Sequence, residues 1–262
     1  MRKFAAALYV EMNKALKSKM LWGTIIFFAF IAFMLGFLML VSKHPEIAGN
    51  SAILSTKASF IGRADWHGFL GLMLQMGLTL GLIGPAIVTI WVFGREYSDR
   101  VIKDLLALPV SRTNIVMAKF IIAFAWSLLL MGLLFVCALL AGLVVHLDGW
   151  SSELILKNLK IFSAISLLTI LLFPLISLIT CISRGYLLPV GVTILLLIST
   201  QFLIIGMPSI TPYFPWAIPG LISGVAGPFS PKALPISYVI LGLTSILGIG
   251  GTVAWWRYAD QH

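Results

Sequence analysis

Six stretches of this chain, near residues 21–41, 68–93, 118–146, 161–182, 187–206 and 233–256, run on with few charges and many apolar side chains. A helix rising 1.5 Å per residue needs about 20 such residues to cross roughly 30 Å of hydrocarbon, and each stretch meets that need. The second and third exceed it, so they are expected to tilt or to project beyond the bilayer. The whole chain is 60% hydrophobic and only 10% charged, where soluble domains carry about a quarter charged residues. The expected fold is therefore an all-α integral membrane protein with six transmembrane helices, forming one membrane domain over residues 1–262 with no separate soluble domain.

An even number of spans puts both ends of the chain on one side, and charge selects which. With the N-terminus inside, the inner segments hold Arg2, Lys3, Lys14, Lys17, Lys19, Arg95, Arg100, Lys103, Arg112, Lys119, Arg184 and Arg257. The outer segments hold Lys43, Lys57, Arg63, Lys157, Lys160 and Lys232. Twelve against six follows the positive-inside rule, so both termini are expected in the cytoplasm. The formal charge of +9 lies between the apolar segments and not along one polar face, so these charges orient helices and no nucleic-acid partner is expected.

The first 20 residues hold Glu11, Asn13 and five Lys or Arg, and the apolar run that follows lacks a small-residue cleavage pattern, so no cleaved signal peptide is expected. Phe4, Leu8, Met12, Leu16 and Met20 recur every fourth residue, with Lys3, Lys14 and Lys17 elsewhere on the wheel. Residues 1–20 are thus expected to form an amphipathic helix in contact with lipid at the inner leaflet. Cys137 and Cys181 both fall in apolar segments without metal-binding spacing and read as small packing residues.

The inner segment between spans two and three, GREYSDRVIKDLLALPVSRTNIVMAKF, carries the most information. Val101, Ile102, Leu105, Leu106 and Leu108 share one helical face, and Arg100, Lys103 and Asp104 share another. Glu96 with Arg100, and Asp99 with Lys103, are acid-before-base pairs four apart, and Pro109 ends or bends the helix. A simple helix connection needs about two to eight residues; this one is much longer, charged and periodic, as a docking element would be. Between spans five and six, MPSITPYFPWAIPGLISGVAGPFSPK contains six prolines around Tyr213, Phe214 and Trp216. Irregular backbone in lipid leaves peptide groups unsatisfied, so this segment is expected at the interface or re-entering the membrane against protein.

Catalytic constellations are missing. The sequence holds no GxxxxGK[ST], HExxH or GxSxG, and its four histidines, His44, His67, His146 and His262, are isolated from one another. No catalytic, cofactor-binding or metal-ligating residue is assigned. Asp and Glu are expected only in the loops and the N-terminal segment, unlike the intramembrane carboxylates of proton-coupled carriers. Gln75 and Thr79, one turn apart inside span two, are the conspicuous polar pair: candidate pathway residues, or partners in helix-helix hydrogen bonding. Energy for any transport must then come from outside the chain.

The stretch E96-Y-x-D-R-x-x-K-D-L-L-x-L-P109-x-S-R112 resembles the signature of type-2 ATP-binding-cassette permeases, and the chain is most similar to the short permeases of bacitracin-resistance and lantibiotic-immunity systems. The resemblance covers nearly the whole chain: interfacial helix, six spans, long loop between spans two and three, re-entrant structure before span six. It implies a coupling helix inserted into a groove of a separate ATPase, a role falling on Glu96, Tyr97, Asp99, Arg100, Lys103, Asp104, Leu105, Leu106, Pro109 and Arg112. Val101 stands where the family often has Thr, a substitution close in volume. The resemblance further implies a bacterial inner-membrane exporter with two ATPase subunits that bind ATP and Mg, a second permease copy (identical or a paralogue), lipid around it, and an amphipathic or lipid-like cargo such as a peptide antibiotic or lantibiotic. Small-residue content points to spans one, two and five as the pathway lining. Three other classes remain: a non-transporting sensor or assembly subunit, a channel conducting without nucleotide, and a membrane enzyme active on its own.

Overall fold

The computed structural model describes residues 2–44, 46, 64–99, 110–225 and 231–258. Its helices are α1 (Arg2–Leu16), α2 (Lys19–Lys43), α3 (Trp66–Ser98), α4 (Arg112–Val144), α5 (Ser152–Ile170), α6 (Phe173–Ser183), α7 (Leu187–Gly206), α8 (Ile218–Ser223) and α9 (Pro235–Tyr258). Six spans are long and apolar enough to cross a membrane: α2, α3, α4, the α5–α6 pair, α7 and α9. Helix starts follow local chemistry. Ser18, Asp65 and Ser111 each sit in extended conformation and accept a hydrogen bond from the backbone three residues on, capping α2, α3 and α4.

Two expectations need correction. Helix α3 continues to Ser98, so Glu96 lies inside a spanning helix and acidic residues are not confined to loops. The fourth span begins at Ser152 and not near 161, which puts Lys157 and Lys160 in helix α5. This span is also broken after Ile170, because Pro174 in the first turn of α6 has no N–H to continue the ladder. The Leu175 N–H turns to the Leu172 carbonyl, and the Leu171 carbonyl accepts from the Ser245 hydroxyl of α9 instead.

The core is organised around α3, which packs against α2, α4, α5, α6 and α7. Of its most apolar window 67% is buried, against 17% for α7. Its small residues bring neighbours close: a Cβ on Gly77 would lie 2.6 Å from the Phe162 ring, and one on Gly84 2.6 Å from the Phe28 ring. Such contacts suit helices in lipid, where close approach and dispersion replace the hydrophobic drive.

The stretch between α7 and α9 holds a 3-10 turn at Thr211–Tyr213 and the short α8. Trp216 belongs to one apolar cluster with Leu82, Ala86, Leu172 and Ile176, and it lines a small cavity together with Pro85, near the midpoint of α3. Side chains meet some of its backbone polar groups: Ser237 donates to the Pro212 carbonyl (2.7 Å), and Thr211 donates to the Leu203 and Met207 carbonyls (3.2 Å each).

Helix α1 lies along α4. Its apolar stripe is split: Leu8 is half-buried, while Met12 and Leu16 are exposed, and the residues turned fully inward are Glu11 and Ala15. A carboxylate buried against protein needs a reason, and the reason lies at the ends of α3 and α4.

Candidate functional site: a buried charge cluster at the base of the 100–109 segment

Five charged side chains meet where α1, α3 and α4 converge. Lys119 on α4 has no exposed surface, and Glu96 on α3 and Glu11 on α1 are 1% and 4% exposed. The Lys119 ammonium donates to Glu96 Oε1 (2.7 Å), to the Val92 carbonyl (2.9 Å) and to Glu11 Oε2 (3.1 Å). All three of its N–H groups are thereby used. The spacing on α3 makes this possible, since Val92 and Glu96 are one turn apart on the same face. Lys14 adds contacts to Glu11 Oε1 (2.9 Å) and Glu96 Oε1 (3.3 Å), and Arg95 Nε lies 3.2 Å from Glu96 Oε1. Three cations face two carboxylates, so each buried acid meets opposite charge within 3.3 Å.

The cluster extends into the bundle through aromatic rings. The Arg95 guanidinium sits 4.8 Å from the Trp91 ring centroid, Trp91 meets Trp126 edge-on at 5.5 Å, and Trp126 Nε1 donates to Thr24 Oγ1 of α2 at 3.1 Å. The other end of the loop is fastened differently. Arg112 donates to the carbonyls of Trp256 (3.1 Å) and Arg257 (3.3 Å), the last turn of α9, where backbone acceptors have no intrahelical partner and a cation is favoured. Tyr97 is half-buried with its ring against Trp256 at 6.5 Å, and the Trp256 indole donates to Cys181 Sγ at 3.2 Å. Tyr186, between α6 and α7, leans on Gly94, and burial raises its phenol above the ordinary range.

Of the residues assigned to coupling, Glu96 points inward, Tyr97 is half-buried, Asp99 is exposed and Arg112 is tied to α9. Arg100, Lys103, Asp104, Leu105, Leu106 and Pro109 lie outside the described residues, as does Val101. Gln75 and Thr79 are both exposed on one face of α3, and the Thr79 hydroxyl donates to the Gln75 carbonyl (3.1 Å). Among the described residues no group of three or more His, Cys, Asp or Glu converges as a metal site would.

Sequence reasoning missed Glu11 and Lys119 as site residues. A signal existed: Lys119 sits within the apolar run of span three, and a lysine there calls for a carboxylate. Glu11 is the sole acid in the first 45 residues.

The comparisons with known proteins agree with this architecture. Residues 7–200 match the family described as ABC-2 family transporter protein. The chain is also 27% identical over 190 residues to the bacitracin transport permease protein BCRB of Bacillus licheniformis, an alignment covering 72% of this chain and 89% of that one. With six membrane-spanning helices, a long α3–α4 connection and a family match across most of its length, this chain belongs to the ABC-2 transporter family as a multi-pass membrane subunit.

Proposed function

We propose that the chain is the permease of an ATP-driven exporter, with the 96–112 stretch as the port for a separate ATPase that binds ATP and Mg. The observation that carries this reading is the family match, joined to a loop whose two ends are each fastened to the bundle. In this reading Arg100, Lys103, Asp104, Leu105, Leu106 and Pro109 form the coupling helix that meets the ATPase, with Asp99 beside it; charges set register and apolar side chains fill a groove. Glu96, Tyr97 and Arg112 hold that helix to the bundle from behind. The N- and C-termini lie in the cytoplasm of a bacterial cell, α1 rests on the inner leaflet, and the 207–232 segment re-enters the membrane from outside. The cavity that Trp216 shares with Pro85 of α3 supports the last point.

A second copy of the chain, or a paralogue, completes the pathway. Gln75 and Thr79 stand exposed on α3, the most buried span, which touches both α2 and α7. A side-chain amide facing hydrocarbon is costly, so this strip is read as facing a partner permease or cargo. The cargo is an amphipathic or lipid-like compound such as a peptide antibiotic; the bacitracin transport permease among its relatives supports that class.

The test is ATP hydrolysis by the chain co-purified in lipid with its ATPase, with candidate peptide antibiotics added. The expected outcome is stable co-purification and stimulation by at least one compound. An ATPase that binds but never responds to any cargo points to a sensor or assembly subunit, and one that neither binds nor responds overturns the port.

A further inference from the structure

We propose that Lys119 and Glu11 are positioning residues for energy coupling: with Glu96 they form a buried clasp that makes α1 move with the start of the 100–109 segment. The inference rests on reading that segment as the ATPase port, and it gives Glu96 an inward task in place of a docking contact.

Three features support it. The clasp joins elements far apart in sequence, since Lys119 bonds Glu11 across 108 positions and Glu96 across 23. Glu96 is the last fully buried residue before residue 100, so displacement of the segment reaches it first.

The second feature is energetic. A buried ion cluster is a poor way to gain stability, because apolar side chains of similar volume often serve as well or better. Helices α1 and α4 already have Ala15, Leu21, Ile115 and Val116 nearby as apolar core, so adhesion does not require the charges.

The third is asymmetry within the cluster. Glu96 Oε1 takes contacts from Lys119, Arg95 and Lys14 at 2.7, 3.2 and 3.3 Å, while its Oε2 is buried with no hydrogen-bond partner. Lys119 is fixed by three bonds. Of this carboxylate Lys14 and Arg95 contact Oε1, so Oε2 is an acceptor in reserve on the same group. The cluster therefore has a second arrangement open to it, the property a two-state joint requires. Arg112 fastens the far end of the segment to α9, so movement at the port is divided between α1 at its start and α9 at its end.

The experiment uses the full permease–ATPase complex in lipid, in a background lacking Cys137 and Cys181. Spin labels at Tyr9 and Tyr258, both exposed, report the separation of α1 from the end of α9. In the otherwise unsubstituted chain, trapping the ATPase with ATP is expected to shift that distance by roughly 2 Å or more. In Lys119→Met the complex still assembles, the shift disappears, and permease-dependent stimulation of hydrolysis falls by roughly fivefold or more. Glu11→Leu, which removes the acceptor of Lys119 and leaves no carboxylate behind, serves where Lys119→Met does not fold, and the same losses are expected. The double variant is expected to lose no more than either single one, since both break one joint. A shift and a stimulation that persist in folded Glu11→Leu overturn the clasp while leaving the port intact. Failure of the ATPase to bind the unsubstituted chain overturns the port itself.

Discussion

Two joints in this molecule hold helices together by opposite means. At the base of the 100–109 segment, α1, α3 and α4 meet through five charged side chains around a fully buried Lys119. Farther along, α6 crosses α9 with no charge at all: a Cβ on Gly248 would collide with the backbone of Pro174 and Leu175, and one on Gly251 would lie 2.7 Å from Leu178. The helices approach until backbone nearly touches backbone, and two hydroxyls, Ser177 and Thr252, meet at 2.8 Å. The contrast teaches what each joint is built for. Small residues give a dense contact with one geometry. A charge cluster with an unused acceptor gives a contact that can be rearranged.

The largest effect expected from breaking this contrast is at Lys119. Lys119→Met leaves two carboxylates buried with only Lys14 and Arg95 at the rim, a loss of roughly 3–5 kcal/mol by the measure of broken buried ion pairs. Neutralising all three, with Glu11→Gln and Glu96→Gln added, is expected to restore most of that stability. Thermal unfolding of the detergent-solubilised protein separates the outcomes. A triple variant as unstable as Lys119→Met would mean that the charges are the adhesive, which removes the energetic argument for a moving joint.

Next comes Gly248→Val. Its side chain meets backbone, which cannot step aside as a side-chain tip can, so α6 and α9 must separate along the crossing. Overpacking typically costs about 1–3 kcal/mol, and this site should fall at the upper end. The same assay should show a lower midpoint, together with a loosened Ser177–Thr252 contact. A midpoint unchanged by Gly248→Val would show that the crossing is softer than its geometry implies, and the contrast between the joints would lose one side.

How far these joints could be read in the sequence follows from what each is made of. The spans themselves were plain, because hydrocarbon thickness demands long apolar runs and little else in a sequence produces them. The ends were not. Charge ordinarily marks the end of a span, which puts Glu96 in a loop, whereas α3 continues past it and Lys119 meets its carboxylate. Hydropathy also ran straight through the break between α5 and α6; Pro174 marked it, but an apolar run with one proline reads as a kink as readily as an interruption. Glu11 was hidden by its own helix. The period of Phe4, Leu8, Met12, Leu16 and Met20 describes a lipid-facing stripe, and the residue turned toward protein lies between its members. Pairing across 108 positions leaves no local pattern to find.

The smallest effect belongs to the hydroxyl pair at the α6–α9 crossing, and it tests the contrast most finely. One of the two hydroxyls donates to the other, and each also lies 2.7 Å from a carbonyl in its own helix, Ser177 Oγ from that of Pro174 and Thr252 Oγ1 from that of Gly248. Each hydroxyl thus keeps a partner when the other is removed, and neither is stranded. Interhelical hydrogen bonds in membrane proteins average about 0.6 kcal/mol in double-mutant cycles. Ser177→Ala with Thr252→Val should give an interaction energy near that value, on the order of a fifth of the Gly248→Val effect. A coupling energy above about 1.7 kcal/mol, the upper end of such measurements, would mean that the crossing depends on polar contact as the Lys119 joint does. The two joints would then differ in degree and not in kind, and the reason for assigning motion to one and rigidity to the other would be gone.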